Sequence, residues 1–199
     1  FDAQPFRRFR CGAGGWRELG VSLGDEGLRE VEIASDVLPA ELPHDVPEGY
    51  VIDAPFAAAA LARTLAAQPW TGLFLAFDYG KSWEEIAYAT PEGTARAYRR
   101  HAKGNDLLAW PGEQDLTCHV CWDWLRHALA SGGFGTSHVE SQEAFLAKHA
   151  GDFIEALTVA EAGRVSRDKL SLLQLLHPAH MGQKFQALWA LRPAGGALP

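Results

Sequence analysis

An α/β fold with a mostly parallel sheet is predicted by two adjoining patterns: a helical stretch after Asp53 and the unbroken apolar run Gly72-Leu73-Phe74-Leu75-Ala76-Phe77 that follows it. A helix leading into a strand is half of a βαβ unit. A strand apolar at every position matches burial on both faces, as in a parallel sheet. The run ends at Asp78-Tyr79-Gly80, and ligands in such sheets bind beyond the carboxyl ends of the strands, so position alone nominates this tripeptide.

The remaining elements follow in order. Leu19, Val21 and Leu23, then Val31 and Ile33, alternate around Gly24-Asp25-Glu26-Gly27, which predicts an N-terminal β-hairpin. Residues 35–49 hold three prolines and Gly49 and read as a solvated loop. Asp53 can cap the helix, with Pro55 in its first turn and Ala57, Leu61 and Leu65 as its stripe. Residues 81–115 read as irregular, and a helix is expected over 115–130 from Leu116, Val120, Leu125 and Leu129. Further helices are expected over 142–157 and from the cap Ser166 to His177-Pro178. A last strand puts Phe185, Ala187, Trp189 and Leu191 on one face and ends at Pro193. No repeat or linker divides the 199 residues, so a single domain is expected.

Composition narrows the function classes. With 47% apolar residues and seven Trp the chain can fill a core, while no apolar run reaches the roughly 20 residues of a membrane span. A soluble protein without membrane insertion is expected. The formal charge of −7 argues against nucleic acid, which is bound through an excess of Lys and Arg. Three cysteines cannot close a disulfide set and the first ten residues lack a secretory apolar core, so a reducing compartment is favoured. The chain opens without Met, as a fragment or a processed chain would.

Five stretches, in order, carry a resemblance: Phe1-Asp2-Ala3-Gln4-Pro5, Phe77-Asp78-Tyr79-Gly80, Gly93-Thr94-Ala95-Arg96-Ala97-Tyr98-Arg99-Arg100-His101, Pro111-Gly112-Glu113-Gln114-Asp115-Leu116-Thr117-Cys118-His119-Val120 and Met181-Gly182-Gln183-Lys184-Phe185. Together they resemble the MidA family of class I, S-adenosylmethionine-dependent methyltransferases, whose eukaryotic members are mitochondrial complex I assembly factors. The resemblance implies a Rossmann-like, mostly parallel sheet with an antiparallel C-terminal strand. It also implies S-adenosyl-L-methionine as cofactor and a protein arginine as acceptor, with a respiratory complex subunit as a candidate partner. The compartment would be the bacterial cytoplasm, or the mitochondrion in a eukaryote. In the family a glycine-rich turn cradles the cofactor upstream of the motif whose tail begins this chain, so these residues resemble the C-terminal half. Gly12-Ala13-Gly14-Gly15 does not replace that turn: it lacks the third glycine and sits in a hairpin pattern. Gln4 stands where the family usually has Leu.

Methyl transfer to a guanidinium needs carboxylates that orient its N–H fork and accept a proton. Asp2, Glu113 and Asp115 are the carboxylate candidates, with His119 beside them; Asp115 reads equally well as a helix cap, and His119 as a structural histidine. Asp78, Tyr79 and Gly80 are candidates for the cofactor side, either facing the crevice or, for Asp78, merely ending its strand. Tyr98, His101 and Thr117 are candidates for acceptor binding, against a solvated surface formed with Arg96, Arg99 and Arg100. Cys118-His119-Val120-Cys121 has the spacing of half a zinc or redox site, but no second cysteine pair exists, so no metal site is expected and both cysteines read as small packing side chains. Two functions compete: a methyltransferase segment, and a non-catalytic protein-binding or assembly module derived from one.

Overall fold

The computed structural model describes residues 1–25, 27–33, 38–100 and 102–194. In chain order the elements are β1 (Arg7–Gly12), β2 (Gly15–Gly24), β3 (Gly27–Ile33), β4 (Val51–Ala54), α1 (Phe56–Ala66), β5 (Gly72–Asp78), β6 (Gly80–Lys81) and α2 (Trp83–Tyr88). They continue with β7 (Arg96–Arg99), β8 (Ala102–Gly104), β9 (Asp115–Thr117), β10 (Val120–Cys121), α3 (Trp122–Ser131), β11 (His138–Ser141), α4 (Gln142–His149), α5 (Gly151–Ala160), α6 (Arg167–Leu176) and β12 (Gln186–Arg192). These residues group into two compact units, Phe1–Leu65 with Lys81–Ala128, and Ala66–Gly80 with Leu129–Pro199.

The first unit holds a sheet in the order β3-β2-β1-β4. The expected hairpin is present as β2 and β3, with Gly24 opposite Gly27. A second hairpin joins β1 to β2, pairing Gly12 with Gly15. Gly15 has φ +95, a left-handed conformation open to glycine at little cost, so the Gly12-Ala13-Gly14-Gly15 cluster is a strand-to-strand turn. Phe9, Trp16, Tyr50, Ile52, Ile86 and Cys121 belong to the core of this unit. The proline-rich stretch is tied to that core: the Trp16 indole N–H donates to the Pro43 carbonyl at 2.7 Å.

Asp53 is not the helix cap that its position before Pro55 suggests. It lies within β4, fully buried, and its carboxylate accepts from the Arg8 guanidinium at 2.7 Å, the Thr94 N–H at 2.7 Å and the Ala95 N–H at 2.8 Å. The Pro55 carbonyl instead accepts the Ala59 N–H at the start of α1. Burial lifts the Asp53 carboxyl above its usual range, opposed by Arg8 and by the two N–H groups.

Residues 81–115 are more ordered than their polarity suggests. Ser82 and Glu85 form a capping box that starts α2, and β8-β7-β9 make a small antiparallel sheet. The helix expected over 115–130 begins only at Trp122, because Asp115, Leu116 and Thr117 are committed to pairing with Tyr98, Ala97 and Arg96. Asp115 is therefore a strand residue, not a cap, and His119 lies between two strands rather than on a helix.

In the second unit β11, β12 and β5 form a sheet in that order, and both pairings are antiparallel. The antiparallel C-terminal strand agrees with expectation, while the mostly parallel sheet does not. The ladders β1-β2, β1-β4, β2-β3, β7-β8, β7-β9, β11-β12 and β5-β12 are all antiparallel, and Val51 and Glu92 form an isolated parallel bridge. The apolar run 72–77 misleads because it is not buried on both faces: Leu73 is 50% exposed, and Leu75 and Phe77 are exposed as well. On β12 the buried face carries Leu188, Ala190 and Arg192, whereas Leu191 is exposed. The helix expected over 142–157 breaks at Ala150 into α4 and α5, and α6 starts at Ser166, whose hydroxyl accepts the Lys169 N–H at 3.2 Å. Arg192, buried in this unit, donates to the carbonyls of Ala66, Gln68 and Trp70 and lies over the Phe134 ring at 4.7 Å.

Asp53→Ala would leave the Arg8 guanidinium and two backbone N–H groups without their acceptor, and removing one member of a buried pair costs about 3–5 kcal/mol. Chemical denaturation of the 199-residue chain should show a loss of that size, with a smaller loss for Asp53→Asn, which keeps an acceptor for the N–H groups.

Candidate functional site

The first unit brings the start of the chain against the 117–119 segment. The Cys118 N–H donates to the Asp2 carbonyl at 3.0 Å, and the His119 N–H donates to the Thr94 hydroxyl at 3.1 Å. Thr94 also donates its own N–H to Asp53, so the buried carboxylate fixes the backbone on which His119 is carried. Thr117 is buried, and its hydroxyl oxygen has no hydrogen-bond partner among the described residues.

His119 is half-buried, and its imidazole is pushed down to about 4 by burial first and then by the charges of Lys81 and Arg96, with Glu85 acting the other way. It is a neutral ring at physiological pH and a weaker base than a solvated imidazole. Cys118 and Cys121 are buried free thiols. Burial pushes Cys121 up to about 12, far from a reactive thiolate. No cluster of His, Cys, Asp and Glu suited to a metal ion occurs among the described residues.

A cleft of about 790 Å³ opens beside these segments, lined by Gln4, Phe6, Arg8, Glu30, Asp106 and Asp115 among others. Its carboxylates differ in availability. Glu30 is paired with Arg8 at 3.5 Å and also with Arg10. Asp106 accepts the Leu108 and Ala109 N–H groups at 3.0 and 3.1 Å. Asp115 is exposed and has neither an ion pair nor a side-chain hydrogen bond among the described residues. Leu107, Leu108 and Leu116 complete an apolar wall, so a ligand entering here meets one available carboxylate in a largely apolar setting.

The other predicted residues are dispersed. Glu113 does not line this cleft; its carboxylate holds Arg99 at 2.5 Å. Asp2 and His119 are not cleft-lining either. Tyr98 is half-buried in β7, and His101 lies outside the described residues. Asp78 and Tyr79 belong to the second unit. There Asp78 is 5% exposed and accepts the Tyr79 N–H at 2.8 Å, the Tyr79 ring meets Phe185 edge-on at 5.6 Å, and the Gly80 N–H donates to the Gln186 side chain at 3.1 Å. Arg8, Glu30 and Leu107 escaped the sequence reading. Arg8 and Glu30 sit on strands that the sequence shows only as charged alternation, and the 105–110 loop has no periodic signal.

S-adenosyl cofactors are held by a glycine-rich turn between a buried strand and a helix. The glycine cluster of this chain is a β-hairpin turn, so the described residues do not by themselves form such a cradle.

Residues 1–138 match the family Methyltransf_28, described as "Putative S-adenosyl-L-methionine-dependent methyltransferase". Among solved structures, a Burkholderia thailandensis protein crystallised with S-adenosyl-homocysteine is similar at 30% identity and TM-score 0.87, over 99% of this chain and 52% of that one. A second B. thailandensis structure, of an uncharacterized protein of the same superfamily, is similar at 29% identity and TM-score 0.84, over 99% of this chain and 54% of that one. This chain thus spans about half the length of the structures it matches. No curated protein matches it.

With a folded-state value of about 4 for His119 against an unfolded value near 6.5, the unfolded chain binds the extra proton between those limits. Stability from this residue is therefore complete above about pH 6.5 and is lost as the pH falls towards 4. Thermal melts across that window should show a steeper acid-side decline for the natural chain than for His119→Gln.

Proposed function

Because this chain belongs to the Methyltransf_28 family, we propose that it is the acceptor-binding, C-terminal portion of a MidA-type S-adenosyl-L-methionine-dependent methyltransferase acting on a protein arginine. The observation that carries this reading is the cleft of about 790 Å³ in which Asp115 is the carboxylate with neither an ion pair nor a side-chain hydrogen bond among the described residues. A guanidinium is planar, always charged at neutral pH and rich in N–H donors, and its three-carbon stem packs against apolar surface. Asp115 supplies the acceptor for that fork and a destination for its proton, while Phe6, Leu107 and Leu116 cover the stem. Thr117 and Tyr98 lie on the paired strands β9 and β7, the first of which carries Asp115 into the cleft, and Glu113 holds Arg99 outside it. His119 stays neutral beside Lys81 and Arg96 and lies in the same unit without lining the cleft.

The family is S-adenosyl-L-methionine-dependent, and one structural neighbour was crystallised with S-adenosyl-homocysteine. Since the residues described here lack the glycine-rich cradle, we assign the main cofactor contacts to sequence preceding Phe1, with Asp2 and the Asp78-Tyr79-Gly80 strand end contributing. A protein partner, including a respiratory complex subunit, fits the acidic surface better than nucleic acid does. Among the described residues no helix is long and apolar enough to cross a membrane.

The absence of a cradle also favours a second reading, a non-catalytic binding or assembly module. Isothermal titration with S-adenosyl-L-methionine separates them. The 199-residue chain should give no heat of binding, and a protein extended upstream of Phe1 should bind; an extended protein that also fails to bind leaves the assembly module. In the extended protein, Asp115→Asn should lower kcat/KM for a labelled methyl acceptor by about 100-fold while leaving cofactor affinity unchanged.

A further inference from the structure

The loop 105–114 separates the cleft of Asp115 from a second cavity of about 460 Å³, and Asn105, Asp106 and Gln114 line both. The smaller cavity has the opposite character. Arg99, Arg100 and Lys103 line it, together with Trp110. Its acid, Asp106, is engaged by the Leu108 and Ala109 N–H groups. Three cations are concentrated here in a chain whose formal charge is −7.

Two of these groups are prearranged. The Arg99 guanidinium lies 4.2 Å from the centre of the Trp110 ring and is held at its edge by Glu113 at 2.5 Å. Arg100 and Lys103 are exposed and have no ion pair among the described residues. Arg100 and Trp110 both have φ 51, a left-handed conformation that side-chain-bearing residues adopt at a cost in free energy. Such strain is concentrated where the fold must aim particular side chains, and here both strained residues line one cavity.

We propose that the smaller cavity is an anion subsite that receives a carboxylate side chain of the acceptor protein, near the arginine that enters the larger cleft. This deepens the methyltransferase reading and rests on it for the identity of the neighbouring side chain. A carboxylate complements the three cations, while Asp106 in the wall shared with the larger cleft and the net charge of −7 disfavour a more highly charged anion such as a polyphosphate. Trp110, 57% exposed, gives the methylene groups of a glutamate an apolar platform beside the cations. The two cavities together read a basic residue with an acidic neighbour, and the shared 105–114 wall sets their spacing.

The test is a nuclear magnetic resonance titration of the 199-residue chain at low salt, following the Trp110 indole and Arg99 side-chain resonances. The probes are capped peptides with one arginine and one glutamate, the same peptides with glutamine for glutamate, the same peptides with lysine for glutamate, and inorganic phosphate. The glutamate peptide should shift both resonances and bind about tenfold more tightly than the glutamine peptide, as expected for one charge-assisted contact. The double variant Arg100→Glu with Lys103→Glu, both exposed, should lose that preference and favour the lysine peptide; its amide spectrum checks that the fold is kept. Equal binding of glutamate and glutamine peptides, a preference unchanged by charge reversal, or phosphate binding as tightly as the glutamate peptide would each overturn the proposal. Because no cofactor is present, failed methyl transfer by the extended protein would count against the catalytic reading alone and leave this result standing.

Discussion

A single buried carboxylate organises the first unit. Asp53 joins β4 to β1 through Arg8 and anchors the turn into β7 through the Thr94 and Ala95 N–H groups. The arrangement works because residue 93 is glycine: a Cβ there would stand 2.2 Å from the Asp53 Oδ2 oxygen, and the backbone has φ +71. A buried charge is tolerated only when its lone pairs are filled, so the sheet, the turn and the carboxylate impose one another. From Thr94 the constraint reaches the His119 backbone through the hydroxyl group.

The chemistry that the first unit offers is set by which charges this scaffold consumes and which it leaves. Arg8 is taken up by Asp53 and Glu30, and Arg99 by Glu113. Asp115 on one side of the 105–114 loop, and Arg100 and Lys103 on the other, remain for a ligand. Charges that are already paired contribute to rigidity, while those facing a cavity without partners keep their full capacity for recognition. The cysteines add nothing to this capacity, since Cys121 is held protonated by burial.

Much of this was legible where side-chain pattern and backbone geometry agree. The β2 and β3 hairpin follows from alternation around Gly24 and Gly27, and α6 follows from the Ser166 cap. Those signals are local, so tertiary context did not alter them. Asp115-Leu116-Thr117 misled because Leu116 and Val120 have helical spacing, yet pairing with β7 determines the backbone there. Asp53 misled for a related reason: an aspartate before a proline and a helical stripe is a good cap by sequence, and only the distant Arg8 and Thr94 show what it binds. The α2 helix could have been read from Ser82 and Glu85, whose spacing is a capping box. Of the residues lining the candidate cleft, the sequence singled out Asp115, from its place in the Pro111–Val120 block, whereas Arg8 and Glu30 acquire meaning only once the strands are paired.

In the second unit Arg192 closes three carbonyls at the end of α1 and just beyond it, at Ala66, Gln68 and Trp70. Carbonyls at a helix end have no amide of their own helix to accept from, and here one guanidinium from the last residue of β12 serves them all. The helix end therefore cannot fray without also releasing the strand end, and the two should open to solvent as a single cooperative block, with matched hydrogen-exchange rates at positions more than a hundred residues apart in the chain.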